Sequence, residues 1–294
     1  MTGAGVRWGE GERRPTPIQP AGRAASRLPH PGRARYNRTD VHLHQAAADM
    51  RAVILAAGDG GRLGDHTAAT PKPLVPLRGR RLIDYTLAAL ADAGIRDVVV
   101  VTGYREGQVV DALCEGVDPR LSLTFVSNPC FEGQASLSLR AARRACADAP
   151  FLLTMADHVL SSGLVTRLLS AAGGAAPGTS FVAADSALHS PDYTDEATKL
   201  SVAADGFVLA IGKRIANATA LDAGAFVLAP EAWAAVDAVA EDCELSVIFS
   251  ELARRRLLRA ADVSGEFWYD IDTAEDLAAA ADVLGAATSE PHGL

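Results

Sequence analysis

The chain has 294 residues but no long apolar run, few aromatic residues and only four cysteines. A membrane-spanning helix needs roughly 20 consecutive apolar residues, so no membrane insertion is expected. The cysteines show no Cys-x-x-Cys spacing, which argues against a zinc ribbon or a dithiol redox motif and is typical of a reduced, cytoplasmic protein. They are Cys114, Cys130, Cys146 and Cys243.

Lysine is also scarce. The chain has 28 basic residues, of which only Lys72, Lys199 and Lys213 are lysines. Lysine is a compact charge on a flexible stem and does not interchange freely with arginine, so these three are candidates for placed phosphate contacts. The alternative for Lys199 and Lys213 is that they are ordinary surface lysines.

Negative charge is in excess over most of the chain. The net charge is −8, yet residues 1–49 carry eight arginines and four acids, a net of +4, which leaves −12 for the remainder. Such an acidic body argues against nucleic acid as a partner.

The first 49 residues are rich in Arg, Pro and Gly and show no hydrophobic period, which predicts disorder. They lack the apolar core of a secretion signal. Met50 stands directly before the first predicted strand, so the upstream segment is interpreted as an extension from start-site choice, with a genuine basic arm as the alternative. We expect one domain over 50–285, with a nucleotide half over about 50–185, an acceptor half over about 186–285, and a tail at 286–294.

Apolar runs and helical periods alternate from residue 51 onward. This alternation predicts the α/β class, with a doubly wound, mostly parallel sheet and ligands at the carboxyl ends of strands. After 185 the pattern changes to a hairpin around Asp205-Gly206, which predicts a small β-rich acceptor subdomain. The predicted strands are 52–55, 97–102, 121–126, 151–155, 180–184, 198–203, 207–211 and 224–228, and the predicted helices are 82–93, 106–115, 135–147, 160–171, 231–240, 245–257 and 273–284.

A glycine-rich loop, Gly58–Gly64, follows the first predicted strand. Four glycines in seven residues allow positive φ and close approach to a ligand, and the backbone N–H groups of such a loop can cradle phosphate oxygens. Arg62 within the loop and Lys72, between two prolines, add cations suited to a nucleoside triphosphate. The P-loop motif is absent, and the dinucleotide fingerprint fails because position 63 is not glycine.

Two aspartates end apolar or aromatic runs, Asp157 after 151–155 and Asp270 after Trp268. A charge in such a place is costly unless it is paired or bound to a metal, and Mg²⁺ prefers carboxylate oxygens. Both are therefore candidate magnesium ligands. Asp157 has a helix N-cap as its alternative role, and Asp272 rivals Asp270, since spacing alone does not separate those two.

The motifs together resemble the signature of the nucleotidyltransferases that activate sugar and polyol phosphates. Residues 55–63 fill Leu-x-x-Gly-x-Gly-x-Arg-Leu, residues 71–74 fill Pro-Lys-Pro-Leu, and residues 268–273 fill Trp-x-Asp-[Val/Ile]-x-Thr. The last motif favours Asp270 over Asp272 as the ligand. The resemblance spans about 51–284, and segments at 155–159, 196–199, 205–213 and 222–226 are similar to the inositol-1-phosphate cytidylyltransferases.

This resemblance implies Mg²⁺-dependent transfer from CTP, or another NTP, to a phosphorylated acceptor, inositol 1-phosphate, giving CDP-inositol and pyrophosphate. The acceptor phosphate would attack the α-phosphorus, with positioning and charge neutralisation dominating catalysis. It assigns catalysis to Arg62 and Lys72, and the metal to Asp157 and Asp270. It assigns the nucleotide to Leu55, Ala56, Ala57, Gly58, Gly60, Gly61, Arg62, Lys72, Gly103, Gln134 and Ser136, and the acceptor to Lys199, Lys213, Asp222 and Gly224.

Three points leave alternatives open. Ala223 stands where the family often has Thr, and Gln134 departs from an Asn-x-x-Ser pattern. His158 is either an acceptor contact or a packed histidine. A phosphocholine, phosphonate or sugar-1-phosphate nucleotidyltransferase is the alternative within this chemistry, although choline would want an aromatic cage and few aromatics lie near the acceptor segments. A nucleotide-binding regulator without turnover is the alternative of another class, and a homodimer is the assembly considered.

Overall fold

A computed structural model of the protein describes residues 47, 49–146, 148–187 and 197–287. The predicted disorder of 1–49 therefore lies almost wholly outside the described residues, as do Glu196 and all but the start of the predicted tail. Within the described ranges, none of the helices combines the length and the apolar character that crossing a bilayer requires.

Parallel strands form the centre of the main sheet. Strands β1 (Arg51–Leu55), β4 (Asp97–Thr102), β5 (Ser122–Ser127) and β6 (Phe151–Met155) are neighbours in the order β6-β1-β4-β5, all parallel. β1, β4 and β6 are apolar runs buried along nearly their whole length, as expected for strands covered on both faces. The first half comprises β1 (Arg51–Leu55), β2 (Pro76–Leu77), β3 (Arg80–Arg81), α1 (Leu82–Asp92), β4 (Asp97–Thr102), α2 (Glu106–Glu115), β5 (Ser122–Ser127), α3 (Ala135–Cys146), β6 (Phe151–Met155), β7 (His158–Leu160), α4 (Ser162–Gly173) and β8 (Ser180–Asp185).

The second half of the described chain, from residue 197 onward, extends the same sheet. Its long strand β11 (Ala220–Leu228) pairs antiparallel with β6, and the predicted hairpin is present as β9 (Lys199–Val202) and β10 (Val208–Gly212). The full path is β10-β9-β11-β6-β1-β4-β5, so the α/β, mostly parallel class is confirmed, with antiparallel strands added at one side. The remaining elements are α5 (Ala232–Val236), α6 (Leu245–Arg254), β12 (Leu258–Asp262), β13 (Trp268–Asp270) and α7 (Ala274–Ala287).

Several short elements differ from the sequence prediction. The helix predicted from residue 160 begins at Ser162, because 158–160 instead form β7 and pair antiparallel with β13. The helix predicted to reach 257 ends at Arg254, and β12 follows at once, parallel to β8. Each of these strands exists because of a distant partner, which local periodicity does not report.

An apolar cluster lies behind the glycine loop and fixes it against the end of the chain. Leu63 of the loop and Ile271, next to Asp270, are both buried in it. Burial of one such side chain stabilises the fold by about 1.5–3 kcal/mol. The other buried members come from the segment after Lys72 and from α1, β7 and α7: Val75, Leu77, Leu82, Val159, Leu277, Ala280 and Leu284.

Candidate active site

The glycine loop follows the carboxyl end of β1, and its backbone at Gly60 leaves room for the side chain of Lys72. Gly60 has φ of +71°, and a Cβ at this position would lie 2.6 Å from the Cβ of Lys72. Any side chain here would be strained and would push the Lys72 stem away. The loop then continues as 3-10 turns over Gly61–Thr67 rather than as an open coil.

The segment 57–72, called the donor segment below, carries two cations that contact carboxylates distant in sequence. Lys72 Nζ donates to Asp157 Oδ2 at 2.6 Å and to Asp272 Oδ1 at 3.0 Å, and Arg62 donates to the same Asp272 oxygen at 2.8 Å. Burial opposes the charged lysine, but Asp157 and Asp272 outweigh it and hold the pKa of Lys72 above its usual value. Lys72 is therefore a permanent cation at this point.

The candidate metal ligands are brought together by the β7–β13 pairing. Asp270 lies directly opposite His158 in the antiparallel register, and the Ile271 N–H donates to the Asp157 carbonyl at 3.1 Å. His158 Nδ1 lies 3.0 Å from Asp157 Oδ1 and 3.8 Å from Asp270 Oδ1. One ligand atom from each of these three residues lies within 4.8 Å of the others. The two carboxylates present the oxygen atoms that a divalent cation such as Mg²⁺ prefers, with the imidazole beside them.

Burial and neighbouring charges set the pKa values of the three side chains in this cluster. Burial opposes the charged imidazole, but Asp270 and Asp157 outweigh it and raise the pKa of His158 to about 9. Burial would raise the pKa of Asp157, but Lys72 and His158 hold it well below its usual range. For Asp270, burial dominates and raises the pKa to about 6. The cluster thus holds its negative charge next to fixed protein cations.

The two helices next to this cluster are capped by residues other than Asp157 and Asp270. Ser161, not Asp157, caps α4, since its hydroxyl accepts from the Leu164 N–H at 3.2 Å. Thr273 and Asp276 form a reciprocal cap on α7, with the Thr273 N–H donating to Asp276 at 2.8 Å and the Asp276 N–H donating to Thr273 Oγ1 at 3.1 Å. Asp270 lies in the cluster with Asp157 and His158, whereas Asp272 contacts Arg62 and Lys72. The assignment of Asp270 as the metal ligand stays a prediction.

A cleft of about 590 Å³ opens beside this cluster on the acceptor side. Gly224 in its wall has φ of +76°, at a bulge in β11, and a Cβ here would lie 1.8 Å from His158 Cδ2. Asp222 Oδ1 accepts from the Gly224 N–H at 2.9 Å, and burial raises the pKa of Asp222 to about 7. The full lining is Met155, His158, Ala197, Thr198, Lys213, Asp222, Gly224, Trp268, Tyr269, Asp270, Asp272, Thr273, Glu275, Asp276 and Ala279.

The sequence predicted only some of these lining residues. Met155, Thr198, Tyr269 and Glu275 were missed, although Tyr269 stands inside the Trp-x-Asp motif that was used. Lys199 is not among the lining residues, and its Nζ donates to the Lys213 carbonyl at 3.2 Å. Lys199 therefore contacts the backbone of the cleft lysine.

The predicted nucleotide contacts near α3 lie apart from the cleft. Ser136 is fully buried, and its hydroxyl donates to the Glu241 carbonyl at 2.8 Å and accepts from the Cys243 N–H at 2.8 Å. The Gln134 N–H donates to Asp242 Oδ1 at 2.7 Å. Both residues therefore join the 241–243 loop to the nucleotide half, and their contact with a nucleotide stays a prediction.

Gly103 lies where the carboxyl ends of β1 and β4 meet. A Cβ at Gly103 would lie 2.5 Å from Phe131 Cβ and 2.9 Å from Ala57 Cβ, so only glycine lets these two segments approach. Leu55 and Ala56 are buried at the end of β1, while Gly58 and Gly61 are exposed on the loop. The backbone surface around Gly58 is open to a ligand.

A glycine loop at the end of a parallel strand, two cations beside it and a carboxylate pair across from it define a nucleotidyltransferase. Residues 52–251 match the family described as the MobA-like NTP transferase domain. The chain belongs to this family, and the expected superfamily is confirmed.

Two curated relatives and one solved structure illustrate the likeness. The bifunctional IPC transferase and DIPP synthase of Thermococcus kodakarensis is 32% identical over 231 residues, covering 77% of this chain and 49% of that protein. The CMP-5'-(3-aminopropyl)phosphonate synthase of Streptomyces rubellomurinus is 36% identical over 140 residues, covering 47% of this chain and 21% of that protein. The inositol-1-phosphate CTP transferase from T. maritima has a TM-score of 0.69 at 22% identity, covering 81% of this chain and 96% of that chain, a likeness of fold. The chain spans about half the length of the IPC transferase relatives it matches.

Proposed function

We propose that this chain transfers a cytidylyl group from CTP to inositol 1-phosphate, releasing pyrophosphate and CDP-inositol. One observation supports this most: Lys72 and Arg62 of the donor segment both contact Asp272, which lines the cleft, and Lys72 also contacts Asp157. A triphosphate on the donor cations and a phosphorylated acceptor in the cleft would share that boundary. Holding the two reactants side by side makes the transfer step effectively unimolecular.

The donor residues act by neutralising charge. Arg62 is exposed, with 66% of its side chain accessible, and Lys72 stands at the inner end of the same loop with only 12% accessible. Both would exchange carboxylate partners for phosphate oxygens when the nucleotide arrives. The glycine loop would offer backbone N–H groups to the same phosphates. Cations fixed before the reaction stabilise charge that develops on the leaving pyrophosphate.

The acidic pair would hold the metal. Asp157 and Asp270 provide the oxygen ligands that Mg²⁺ prefers, and when bound the ion neutralises the phosphates and polarises the reacting phosphorus. His158 holds both carboxylates in place through its Nδ1 edge, while Gly224 leaves room for the other edge of the ring.

The acceptor would lie against β11. Lys213 would bind its phosphate as the cation of the cleft wall, and Lys199 would support Lys213 through its backbone carbonyl. Asp222 and the backbone at Gly224 would bind hydroxyl groups. A carboxyl group with a pKa of about 7 both accepts and donates hydrogen bonds near neutral pH, which suits a polyol.

The test is a panel of nucleotides and acceptors with Mg²⁺, followed by pyrophosphate release. We expect turnover with CTP and inositol 1-phosphate above every other pair. Preference for UTP or for a hexose 1-phosphate would overturn the substrate assignment but keep the reaction class. No pyrophosphate release with any pair, from protein shown to be folded, would overturn the enzyme assignment in favour of a nucleotide-binding regulator.

A second acceptor class has a specific observation in its favour. Among the described residues, five carboxylates line the cleft against two cationic groups, namely Asp222, Asp270, Asp272, Glu275 and Asp276 against Lys213 and His158. Two aromatic residues of the Trp-x-Asp motif, Trp268 and Tyr269, also line it. An acidic, partly aromatic wall suits an acceptor that carries an ammonium group, such as an aminoalkyl phosphonate. The acceptor panel includes an aminoalkyl phosphonate, and faster turnover with it than with inositol 1-phosphate would select this alternative.

A further inference from the structure

Arg105 has a backbone conformation that arginine rarely adopts. Its φ is +47°, in the left-handed region, between the end of β4 and the start of α2. Non-glycine residues remain in this region only where the surrounding structure holds them there, and such residues cluster at functional sites.

The side chain of Arg105 reaches back to the donor segment. Its guanidinium donates to the Ala68 carbonyl at 2.9 Å and to the Ala69 carbonyl. Both carbonyls belong to the stretch that joins the glycine loop to Pro71 and Lys72. The adjacent Tyr104 N–H donates to the Ala57 carbonyl at 2.9 Å, where the loop begins. Residues 104 and 105 thus hold the donor segment at both of its ends.

We propose that Arg105 is a positioning residue that holds the donor segment in its nucleotide-binding geometry, an inference that rests on the proposed function. The left-handed backbone turns the guanidinium toward Ala68 and Ala69, and these lie only a few residues before Lys72. Without this tether, the stretch between Thr67 and Pro71 would lose its two charge-assisted hydrogen bonds. The nucleotide would then have to order the loop at the cost of affinity.

The decisive variant is Arg105→Gly, because glycine removes the guanidinium and also relieves the backbone strain. We expect a melting temperature within a few degrees of the parent, since relief of strain offsets the lost hydrogen bonds. We expect the KM for CTP to rise about tenfold, the effect of losing a charge-assisted hydrogen bond, with the KM for the acceptor unchanged. Arg105→Lys should restore part of the CTP affinity.

Arg256→Gly is the matched control. Arg256 is also a left-handed arginine, with φ of +56°, and its guanidinium pairs with Asp205 at 2.6 Å in the β9–β10 region. It should leave both KM values unchanged. Unchanged CTP kinetics in Arg105→Gly would overturn the inference. So would a large loss of melting temperature with both KM values changed alike, since that indicates a purely structural role.

A readout without turnover separates this inference from the proposed function. Backbone amides over 61–70 should exchange hydrogen faster in Arg105→Gly than in the parent, in the absence of any substrate. Faster exchange with no transfer activity in the parent would uphold the tether while refuting the cytidylyl transfer. If Arg105→Gly and the parent exchange at equal rates and the parent transfers the cytidylyl group, the tether is refuted and the proposed function stands.

Discussion

Gly224→Ala perturbs the cluster of Asp157, His158 and Asp270 through one methyl group. Gly224 has φ of +76°, and the new Cβ would lie 1.8 Å from His158 Cδ2 and 2.1 Å from His158 Nε2. The backbone has little freedom to move away, because the Gly224 carbonyl accepts from Thr154 Oγ1 at 2.9 Å and its N–H donates to Asp222 at 2.9 Å. The imidazole must therefore move instead.

Two terms set the size of the effect on stability. A left-handed alanine costs about 1–2 kcal/mol, and inserting a methyl group into a filled site costs about 1–3 kcal/mol. We expect the free energy of unfolding to fall by about 2–5 kcal/mol. Displacing His158 also displaces Asp157 and Asp270, and a shift of the order of 1 Å at a catalytic group lowers turnover by about 100-fold.

The assay combines urea denaturation with pyrophosphate release. Gly79→Ala is the control, since Gly79 has φ of +81° and nothing among the described atoms lies within 4 Å of a Cβ built there. Gly79→Ala should lower the free energy of unfolding only by the cost of a left-handed alanine, and it should keep full activity. Adding His158→Ala to Gly224→Ala should recover stability without recovering turnover. If Gly224→Ala is as stable and as active as Gly79→Ala, the close packing of His158 on β11 is not what holds the cluster.

Three further predictions follow from the same charges. Lys72→Met should lower transfer by about 100- to 1,000-fold in steady-state kinetics, and Lys72→Arg should fail to rescue it, because the buried site fits a point charge. In the metal-free protein, burial raises the pKa of Asp222 from about 4 to about 7, so the free energy of unfolding should fall as pH rises through that window. Asp222→Asn should flatten this slope in urea titrations with EDTA, and an unchanged slope would contradict it. Asp270→Asn should abolish thermal stabilisation by Mg²⁺, whereas Asp272→Asn should preserve it and weaken CTP binding; the reverse pattern would make Asp272 the ligand.

The donor half of the site was predictable because its signals are local. Gly60, Arg62 and Lys72 stand within one short stretch, and glycine spacing alone indicates a backbone that a phosphate can approach. The positions of Asp157 and Asp270 at the ends of apolar runs also pointed to carboxylates at the edge of a sheet. The structure brings these two together within one cluster with His158.

The rest of the site was less predictable because it depends on distant pairings. The pairing of β7 with β13 joins three-residue strands, too short to have a recognisable period, and it alone sets His158 opposite Asp270. The approach of Gly224 to His158 has no sequence signal at all. The burial of Ser136 likewise depends on the 241–243 loop, which lies more than a hundred residues away in sequence.

The most direct test of nucleotidyl transfer is to follow the acceptor phosphate oxygens. Inositol 1-phosphate labelled with ¹⁸O in its phosphate is incubated with CTP, Mg²⁺ and the protein, and the products are resolved by mass spectrometry and ³¹P NMR. Attack of the acceptor phosphate on the α-phosphorus predicts that all of the label stays in CDP-inositol and that the pyrophosphate is unlabelled. Label in the pyrophosphate, or no nucleotide–polyol product at all, would contradict the account.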